Sequence, residues 1–285
     1  MIAHAALPEA LLDELVRRAL TEDLGERGDI TTAATVAADI TGRFRIVARR
    51  PGILAGRAPA ELVFCRLDPA IEQHWKLGDG DRLMAGAVIA ELEGPAGAIL
   101  TAERTALNFL GRLSGIATLT RAYVDAVAGS EAAIAHTRKT TPGLRALEIA
   151  AVLAGGGAPH RYGLADAVLI KDNHVAMAGG VGEAITRARA AVGHMTRIAA
   201  EIDCLDQLDE ALEAGAESLL LDNFTIDELR AAVSRCRDLS VTLEASGNVT
   251  LDTVRVIAET GVDVISIGAL THSAPNLDLG LDALD

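Results

Sequence analysis

The side chains of this sequence that could carry out chemistry are charged groups in its carboxyl-terminal half, where they follow hydrophobic segments at regular intervals. Basic groups follow the first two segments, and carboxylates follow the next two. Arginine and lysine bind carboxylates and phosphates, whereas neighbouring carboxylates suit a hydrated Mg²⁺ ion or a positive charge that develops on a substrate. The pattern predicts an anion site with a basic and an acidic part. Its basic residues are Arg138, Lys139, Arg145, His160, Arg161 and Lys171, and its acidic residues are Glu201, Asp203 and Asp222.

Glycine-bearing turns follow the last two hydrophobic segments. The first of these segments ends near Glu244 and runs into a Ser-Gly-Asn turn, and the second runs into a Gly-Ala pair. Backbone N–H groups at such turns hold a phosphate at the start of a helix. The sequence therefore predicts a terminal phosphate subsite at Ser246, Gly247, Asn248, Gly268 and Ala269.

A run of three glycines, 155–157, precedes His160 and Arg161. Glycine loops hold phosphate in many nucleotide-binding proteins, but this run does not have the GxxxxGK[ST] pattern. A flexible turn that places His160 and Arg161 explains the glycines as well as a phosphate loop does.

Alternating strands and helices must position these groups. Beyond Gly129 the hydrophobic pattern repeats as strand, loop and helix, which is typical of a parallel α/β sheet. Functional groups in such sheets lie at the carboxyl ends of the strands. Six predicted strands are fewer than the eight of a full barrel, so we expect an open, incomplete, six-stranded α/β barrel. The predicted strands are 132–138, 167–171, 197–203, 218–222, 241–245 and 264–268, and the helices between them are 143–154, 181–192, 205–214, 226–237 and 251–260.

The amino-terminal half has a different pattern. Apolar residues at helical spacing, among them Leu12, Val16 and Leu20, predict a helix over 8–24, and a loop follows over 25–32. The stretch 42–97 predicts short strands and turns, with strands at 43–48, 53–55 and 87–92. A long helix is predicted over 101–128, in which Gly111 and Gly115 permit close packing.

Two features suggest other functions. The segment 76–94 resembles the hammerhead hairpin of biotinyl and lipoyl carriers, but no lysine stands at its turn, so a structural interpretation is preferred to a carrier role. Lys171 ends a predicted barrel strand, which is also the position of a Schiff-base lysine in an aldolase.

Composition excludes several classes of function. A net charge of −14 over 285 residues disfavours nucleic acid and anionic membranes as partners. The three cysteines show no metal-ligand or disulfide spacing, which favours reduced thiols in a cytoplasmic protein. The short Ala-rich start of the chain has neither a basic region nor a long apolar run, so neither a signal peptide nor a membrane span is expected.

Motifs that resemble a known family cover nearly the whole chain. In the amino-terminal half they are ALTEDLGERGDITT (19–32) and LTAERTALNFLGRLSGIAT (100–118). In the carboxyl-terminal half they are TRKTTPGLRALE (137–148), GGGAPHRYGLADAVLIKDNH (155–174), LLLDN (219–223), EASGNV (244–249) and GVDVISIGALTHSAPNLDLGLD (261–282). Together they resemble quinolinate phosphoribosyltransferase, and the IKDNH and GALTHS stretches are the most specific matches.

The resemblance implies a reaction. In that family quinolinate attacks C1 of phosphoribosyl pyrophosphate, pyrophosphate leaves, and the 2-carboxylate is lost as CO₂, which gives nicotinate mononucleotide for NAD synthesis. Mg²⁺ is the implied cofactor. The VLAGGGAPHR version of one motif is also similar to a molybdenum-transport-associated relative, so phosphoribosyl transfer to another acceptor acid is the alternative.

The resemblance also implies an architecture. An amino-terminal α/β sandwich domain, 1–114, would be completed by the tail 274–285, and an open α/β barrel, 115–273, would be the catalytic domain. The family forms homo-oligomers, dimers or hexamers, in which the amino-terminal domain of one subunit closes the barrel site of another.

Matching positions imply residue roles. Glu201 and Asp222 would face the ribose hydroxyls and Mg²⁺, directly or through water, and Arg104 would reach the site of a partner subunit. Lys139 and Lys171, with these two carboxylates, would be the catalytic residues. The further substrate contacts implied are Thr137, Arg138, His160, Arg161, Ser246, Gly247, Asn248, Gly268 and Ala269.

The sequence departs from the family pattern at several positions. These changes bear on how the acceptor is positioned more than on phosphoribosyl transfer. They are Arg112, where histidine is usual, Ile149 and Ala150, where a Lys-Tyr pair is usual, Leu153, where a basic or polar residue is usual, Pro159, where asparagine is usual, and Asn248, where glycine is usual.

Overall fold

The computed structural model describes residues 7–284, so most of the Ala-rich start of the chain lies outside the described residues. In the amino-terminal half the elements are α1 (Glu9–Leu24), α2 (Ile30–Thr35), β1 (Thr41–Ala48), β2 (Gly52–Ile53), α3 (Arg57–Leu67), β3 (Glu72–Trp75), β4 (Arg82–Leu83), β5 (Val88–Pro95) and α4 (Ala96–Ala126). In the carboxyl-terminal half they are β6 (Ala133–Ala135), α5 (Arg145–Ala154), β7 (Val168–Ile170), α6 (Asp172–Ala178), α7 (Val181–Ala191), β8 (Ile198–Ile202), α8 (Leu205–Glu213), β9 (Ser218–Asp222), α9 (Ile226–Cys236), β10 (Thr242–Ser246), α10 (Val254–Ala258), β11 (Val264–Ser266), α11 (Ala269–His272) and β12 (Leu279–Leu284). Over residues 7–284, no helix combines the length and the apolar character needed to cross a membrane.

The amino-terminal unit comprises the described residues up to Arg121, Thr140–Gly156 and the chain from Leu270 onward. Its main sheet is antiparallel, in the order β12–β1–β5–β3. The carboxyl-terminal strand β12 forms one edge and pairs with β1 along its whole length, from Leu279 opposite Ala48 to Leu284 opposite Arg43. The predicted domain boundary at residue 114 stays a prediction.

The core of this unit lies between the sheet and the helices. Phe44, Ile46 and Ala48 alternate along β1 and are buried, which is the two-residue period of a strand, and Val47 is buried as well, next to a shift in the register with β5. Val16 of α1 and Phe64 of α3 belong to the same buried cluster, as does the first half of α4. Burying each such side chain contributes about 1.5–3 kcal/mol before conformational entropy is subtracted.

Two sequence predictions in this unit are wrong. The predicted loop 25–32 contains the start of α2, because the Asp29 carboxylate accepts the Thr32 N–H at 2.9 Å and caps the helix. Hydrogen bonds from Thr32 lower the pKa of Asp29, and the Thr101 hydroxyl adds another at 3.0 Å. The stretch 42–97, predicted as strands and turns, contains α3, whose buried face recurs at Ala60, Val63 and Phe64, a helical spacing.

Gly111 and Gly115 of α4 permit close packing, as predicted, and the segment that packs against them is the carboxyl-terminal tail. A Cβ atom on Gly115 would overlap the carbonyl oxygen of Pro275, and one on Gly111 would lie 3.1 Å from that of Leu277. Leu277 donates its N–H to the Gly111 carbonyl at 2.9 Å. A larger residue at either glycine would displace the tail.

A buried ion pair connects α4 with α5. Glu148 is fully buried, and its Oε1 lies 3.0 Å from Nη2 of Arg112. The same carboxylate accepts the Thr141 N–H at 3.0 Å and the Thr141 hydroxyl at 2.8 Å. Arg112 also donates Nη1 to the Ala274 carbonyl at 2.9 Å. The arginine that stands where the family usually has histidine is therefore the counter-charge of a buried carboxylate.

The carboxyl-terminal unit comprises Ala122–Lys139 and Gly157–Ala269. Its six parallel strands follow the order β6–β11–β10–β9–β8–β7. The edge strands β6 and β7 do not pair with each other, so the sheet is open. The predicted open, six-stranded α/β architecture is confirmed, and each predicted strand overlaps an observed strand, although β10 lies one residue later in the chain than predicted.

We expect Arg112→Met to lower the free energy of unfolding by about 3 kcal/mol, because it leaves the buried Glu148 carboxylate without its cation. Adding Glu148→Gln should recover much of that loss, since the uncompensated charge is then gone. Urea unfolding followed by circular dichroism measures both variants.

The matched control is Arg187→Met, because Arg187 pairs with Glu183 where both side chains are more than half exposed. Its expected change is below about 0.5 kcal/mol. Equal destabilisation by Arg112→Met and Arg187→Met would contradict the assigned role of the buried pair.

Candidate active site

Side-chain alternation along the parallel strands sorts residues onto two faces of the sheet. On β9, Leu219 and Leu221 are fully buried, and Leu220 alternates with them. The register aligns Leu220 with Glu201 of β8 and with Glu244 of β10. Aligned partners in a parallel sheet point to the same face, so the two carboxylates share the face of Leu220.

This face lines a cavity of about 370 Å³ at the carboxyl ends of the strands. A volume of this size lies within the range of small-molecule sites. The lining residues are Thr137, Arg138, Lys139, His160, Arg161, Leu169, Lys171, Glu201, Leu220, Asp222, Glu244, Ser246 and Ser266.

Charge is concentrated in this cavity. Although the chain as a whole carries a net charge of −14, arginine and lysine outnumber carboxylates in the lining. Cations gathered against an acidic background favour a ligand with several negative charges. The cations are Arg138, Lys139, Arg161 and Lys171, and the carboxylates are Glu201, Asp222 and Glu244.

Two of these cations have unused donors. The Nε atoms of Arg138 and Arg161 are buried and have no hydrogen-bond partner among the described residues. Arg161 donates Nη1 to the Ala167 carbonyl at 3.3 Å. Burial lowers the pKa of Arg161, and the positive charge of Arg138 lowers it further. An anionic ligand would relieve both effects, since a guanidinium binds carboxylate or phosphate through paired N–H groups.

Lys171 is paired with a carboxylate in the cavity. Its Nζ forms an ion pair with Oε2 of Glu201, a side chain that is nearly buried. The Lys171 backbone N–H donates to Nδ1 of His174 at 3.0 Å and closes the first turn of α6, a helix that the sequence did not predict. Within the IKDNH segment, Lys171 therefore lines the cavity, while His174 caps a helix.

A side-chain hydrogen bond joins the turn after β9 to the turn after β10. Asn223 and Asn248 have φ values of 55° and 49°, a region that glycine adopts most easily and asparagine next. Asn248 donates Nδ2 to Oδ1 of Asn223 at 3.1 Å, and Asn223 donates Nδ2 to Oδ2 of Asp222 at 2.7 Å. Any side chain at Gly247, where φ is 94°, would overlap that of Asn223. Asparagine at position 248 is therefore compatible with the backbone conformation that the usual glycine favours.

The structure brings most of the predicted site residues to one cavity. The residues from Thr137 to Lys139, the pair His160–Arg161, and single residues from β8, β9 and β10 all line it. The turn glycines instead follow lining residues in the chain, and Arg104 is an exposed residue of α4. The predicted site residues that do not line the cavity are Arg104, Arg145, Asp203, Gly247, Asn248, Gly268 and Ala269.

Sequence reasoning left some lining residues out of the predicted site. Glu244 was noted as a strand-end residue without a role, although it stands two residues before Ser246 and therefore on the same face. The parallel register aligns Ser266 with Ala135, which stands two residues before the predicted contact Thr137. Ser266 therefore lies on the same face of the sheet as Thr137. A residue that stands two positions before a predicted contact on a strand shares its face of the sheet. This rule identifies Glu244 and Ser266, and also Leu169 and Leu220.

The carboxylates of the cavity can contribute to a magnesium site but do not complete one. Over residues 7–284, no three His, Cys, Asp or Glu side chains are arranged to hold a metal ion. Mg²⁺ commonly binds through one or two carboxylates and takes its other ligands from water and substrate phosphates. Glu201 and Asp222 therefore fit a Mg²⁺ ion that arrives with a phosphate-bearing ligand.

These features define a class of protein, an α/β protein with an open six-stranded parallel sheet whose strand ends line a cavity suited to a multiply anionic ligand. Residues 29–114 match the model of the quinolinate phosphoribosyl transferase amino-terminal domain, and residues 116–282 match that of its carboxyl-terminal domain. The chain belongs to the quinolinate phosphoribosyl transferase family, as its motifs predicted.

Individual relatives agree with this assignment. The chain is 44% identical over 271 residues to the probable nicotinate-nucleotide pyrophosphorylase [carboxylating] of Bacillus subtilis, covering 95% of this chain and 93% of that protein. It is 46% identical over 274 residues to the nicotinate-nucleotide pyrophosphorylase [carboxylating] of Mycobacterium leprae, covering 94% and 96%. The solved nicotinate-nucleotide pyrophosphorylase of Francisella tularensis superposes with a TM-score of 0.94 at 40% identity and covers 98% of each chain. The alternative of a molybdenum-transport-associated enzyme is not favoured.

We expect inorganic pyrophosphate, without added metal, to stabilise the protein, because the unsatisfied guanidinium donors of Arg138 and Arg161 line the cavity. A ligand at about a hundred times its Kd contributes about 2.7 kcal/mol, which corresponds to a rise in Tm of about 5–10 °C. Differential scanning calorimetry measures the rise.

Arg138→Ala and Arg161→Ala should each lose most of this rise. Arg187→Ala, which changes an exposed arginine on α7, should retain it. Undiminished stabilisation of both cavity variants would place the bound anion elsewhere.

Proposed function

We propose that this protein transfers the phosphoribosyl group of phosphoribosyl pyrophosphate to quinolinate with decarboxylation, giving nicotinate mononucleotide, CO₂ and pyrophosphate for NAD biosynthesis. The observation that carries the proposal is the cavity of the carboxyl-terminal unit, in which two guanidinium groups with unsatisfied donors lie with two lysines and three carboxylates. Its lining residues belong to a chain whose two halves match the two domains of this family.

The basic part of the cavity binds the acceptor acid. Arg138 and Arg161 each offer a fork of N–H donors, which matches the geometry of the two quinolinate carboxylates. Lys139, Lys171 and His160 supply further donors, and Thr137 supplies a hydroxyl. Arg104 of a neighbouring subunit adds a cation in the proposed oligomer.

The acidic part of the cavity faces the ribose. Glu201 and Asp222 would accept hydrogen bonds from the ribose hydroxyls and would hold Mg²⁺, directly or through water. When bound, Mg²⁺ neutralises charge on the leaving pyrophosphate. Carboxylates also stabilise the positive charge that develops at C1 of the ribose.

The 5′-phosphate is held at the turns after β10 and β11. Ser246 lines the cavity, and Gly247 with Asn248 continues the chain from it. Gly268 and Ala269 follow the lining residue Ser266 and precede the rest of α11. Backbone N–H groups of such turns are suited to phosphate oxygens.

The substrate itself supplies the nucleophile and the electron sink. The pyridine nitrogen attacks C1 of the ribose, the bond from C1 to the pyrophosphate oxygen breaks, and pyrophosphate keeps that electron pair. The 2-carboxylate then leaves as CO₂, its bonding electrons stay on the ring beside the cationic nitrogen, and a proton takes its place. Lys139 and Lys171 are the catalytic cations that counter charge in these steps.

The aldolase alternative receives less support from the structure. A Schiff-base lysine needs an uncharged amine, which low polarity or neighbouring cations favour. Lys171 is ion-paired with Glu201 and its side chain is 46% exposed, so it does not lie in a water-excluding apolar pocket. Borohydride trapping of a sugar phosphate on Lys171 would support the aldolase.

The cellular location is a further proposal. Cys65 and Cys204 are exposed free thiols, which are typical of a reducing compartment. A cytoplasmic location agrees with them.

Incubation with quinolinate, phosphoribosyl pyrophosphate and Mg²⁺ should give nicotinate mononucleotide and pyrophosphate in equal amounts. Asp222→Asn should lower kcat/KM about a hundredfold, because it removes about 3 kcal/mol of charge stabilisation in the transition state. Chromatographic quantification of the mononucleotide measures both effects.

Asp227→Asn changes an exposed carboxylate on α9 and should leave the rate unchanged. No mononucleotide at any quinolinate concentration would reject the proposal. Consumption of phosphoribosyl pyrophosphate only with a different acid would support the alternative acceptor.

If Arg104 acts in the site of a partner, mixing Arg104→Ala with Lys171→Ala subunits should restore about a quarter of the wild-type activity in a dimer, since half of the randomly paired dimers contain one intact site. Activity is compared before and after the two kinds of subunit exchange, and differently tagged subunits demonstrate that the exchange has taken place. Mixing Arg138→Ala with Lys171→Ala is the control, because both residues line the cavity of one subunit and no intact site forms. Equal recovery in the two mixtures, or none in either, would reject the shared site.

A further inference from the structure

Asn223 joins two parts of the cavity wall that the proposed roles above treat separately. It follows Asp222, the last residue of β9, and the register aligns Asp222 with Ser246, the last residue of β10. Asp222 and Ser246 line the cavity, whereas Asn223 is outside its lining. Asn223 therefore acts on a ligand through the residues that it holds in place.

The side-chain amide of Asn223 forms hydrogen bonds at both of its ends. Its Nδ2 donates to Oδ2 of Asp222 at 2.7 Å, and its Oδ1 accepts a hydrogen bond from Nδ2 of Asn248 at 3.1 Å. A carboxylate accepts hydrogen bonds, so the amide nitrogen of Asn223 must face Asp222 and its oxygen is left for Asn248. A continuous chain of side-chain hydrogen bonds thus runs from Asn248 through Asn223 to Asp222.

Residues 246–248, which we call the phosphate turn, contact Asn223 at three successive positions. The Asn223 N–H donates to the Ser246 carbonyl at 3.0 Å. Oδ1 of Asn223 occupies the space in which a Cβ atom of Gly247 would lie, and it also accepts the hydrogen bond from Asn248. The backbone and the side chain of Asn223 therefore both hold the turn.

The hydrogen bond from Asn223 also orients the Asp222 carboxylate. Hydrogen bonds are directional, and one to a carboxylate is stronger than one between neutral groups. Neighbouring strands lie about 5 Å apart, so the end of β9 at Asp222 and the phosphate turn are adjacent. Because it binds both, Asn223 fixes the distance and the angle between them before a ligand arrives.

Asn248 adds a hydrogen bond that the residue usual in the family lacks. Glycine at position 248 would adopt the φ value of 49° readily, but it has no side-chain amide to donate to Asn223. In this chain the phosphate turn is therefore tied to Asn223 by one hydrogen bond more than a glycine would allow.

We propose that Asn223 is a positioning residue that sets the separation between the Asp222 carboxylate and the phosphate turn, so that the site selects a ligand with a phosphate and ribose hydroxyls on one sugar. The phosphate binds at the turn, and the hydroxyls bind at Asp222. Because both groups are held in advance, binding does not have to order them. The inference rests on the proposed function for the identity of this ligand as the phosphoribosyl donor.

The first experiment measures binding of ribose 5-phosphate to the metal-free protein by isothermal titration calorimetry. Asn223→Gly should raise Kd about tenfold and Asn248→Gly about threefold, because glycine keeps the left-handed backbone and removes only the side-chain bonds. The double variant should bind no more weakly than Asn223→Gly, since Asn248 acts through Asn223. Unchanged affinity of Asn223→Gly, or no binding by the wild type, overturns the proposal.

Two controls separate positioning from a general loosening of the turn. Inorganic phosphate carries no ribose hydroxyls, so its Kd should stay within about twofold in Asn223→Gly. Thr225→Ala removes the cap of α9, in which the Thr225 hydroxyl accepts the Glu228 N–H at 3.3 Å. It should lower Tm by about 2–4 °C without changing the Kd of ribose 5-phosphate. An equal loss of affinity for both ligands, or in both variants, overturns the proposal.

The second experiment tests the role in turnover. With quinolinate, phosphoribosyl pyrophosphate and Mg²⁺, Asn223→Gly should raise KM for phosphoribosyl pyrophosphate about tenfold and leave KM for quinolinate within about twofold. A rise in KM for quinolinate alone overturns the proposal. Absence of wild-type turnover rejects the proposed function and leaves the ribose 5-phosphate titrations as the test of Asn223.

Discussion

Side chains along a strand must alternate between two faces, and in this protein that constraint fixes both the core and the active site of the carboxyl-terminal unit. Leu219 and Leu221 face the buried side of β9, so Leu220 and Asp222 face the cavity. A shift of one residue in register would exchange these sets and bury the aspartate among leucines. The burial of aliphatic side chains therefore determines which polar residues meet a ligand.

Part of the charge in the cavity is paired before any ligand binds. Glu201 compensates Lys171, and Glu244 contacts His160, whereas the two guanidinium groups of Arg138 and Arg161 retain unsatisfied donors. Burial lowers the pKa of Arg161, and the positive charge of Arg138 lowers it further, because desolvated like charges destabilise one another. The protein thus keeps an excess of positive charge where a dianionic acid is proposed to bind, in a chain that is acidic elsewhere.

Much of this arrangement was predictable from the sequence because it depends on local patterns. Hydrophobic periodicity located the six parallel strands, and charge at their ends located most of the cavity lining. The helix α3 was missed because flanking glycines suggested turns, although Ala60, Val63 and Phe64 have helical spacing. The contact between His160 and Glu244 joins residues 84 positions apart, so only the three-dimensional register reveals it. The ion pair of Arg112 with Glu148 was hidden for the same reason.

The pairing of β1 with β12 has a consequence for the order in which the chain can fold. Arg49, which follows β1, and Asp282 on β12 form an ion pair across 233 positions. During synthesis the amino-terminal sheet keeps one edge uncovered until β12 has left the ribosome. The six parallel strands, by contrast, all lie before residue 267 and are complete earlier. The amino-terminal sheet begins first and is therefore completed last, and a nascent chain that stalls before β12 would expose β1 to pairing with other chains.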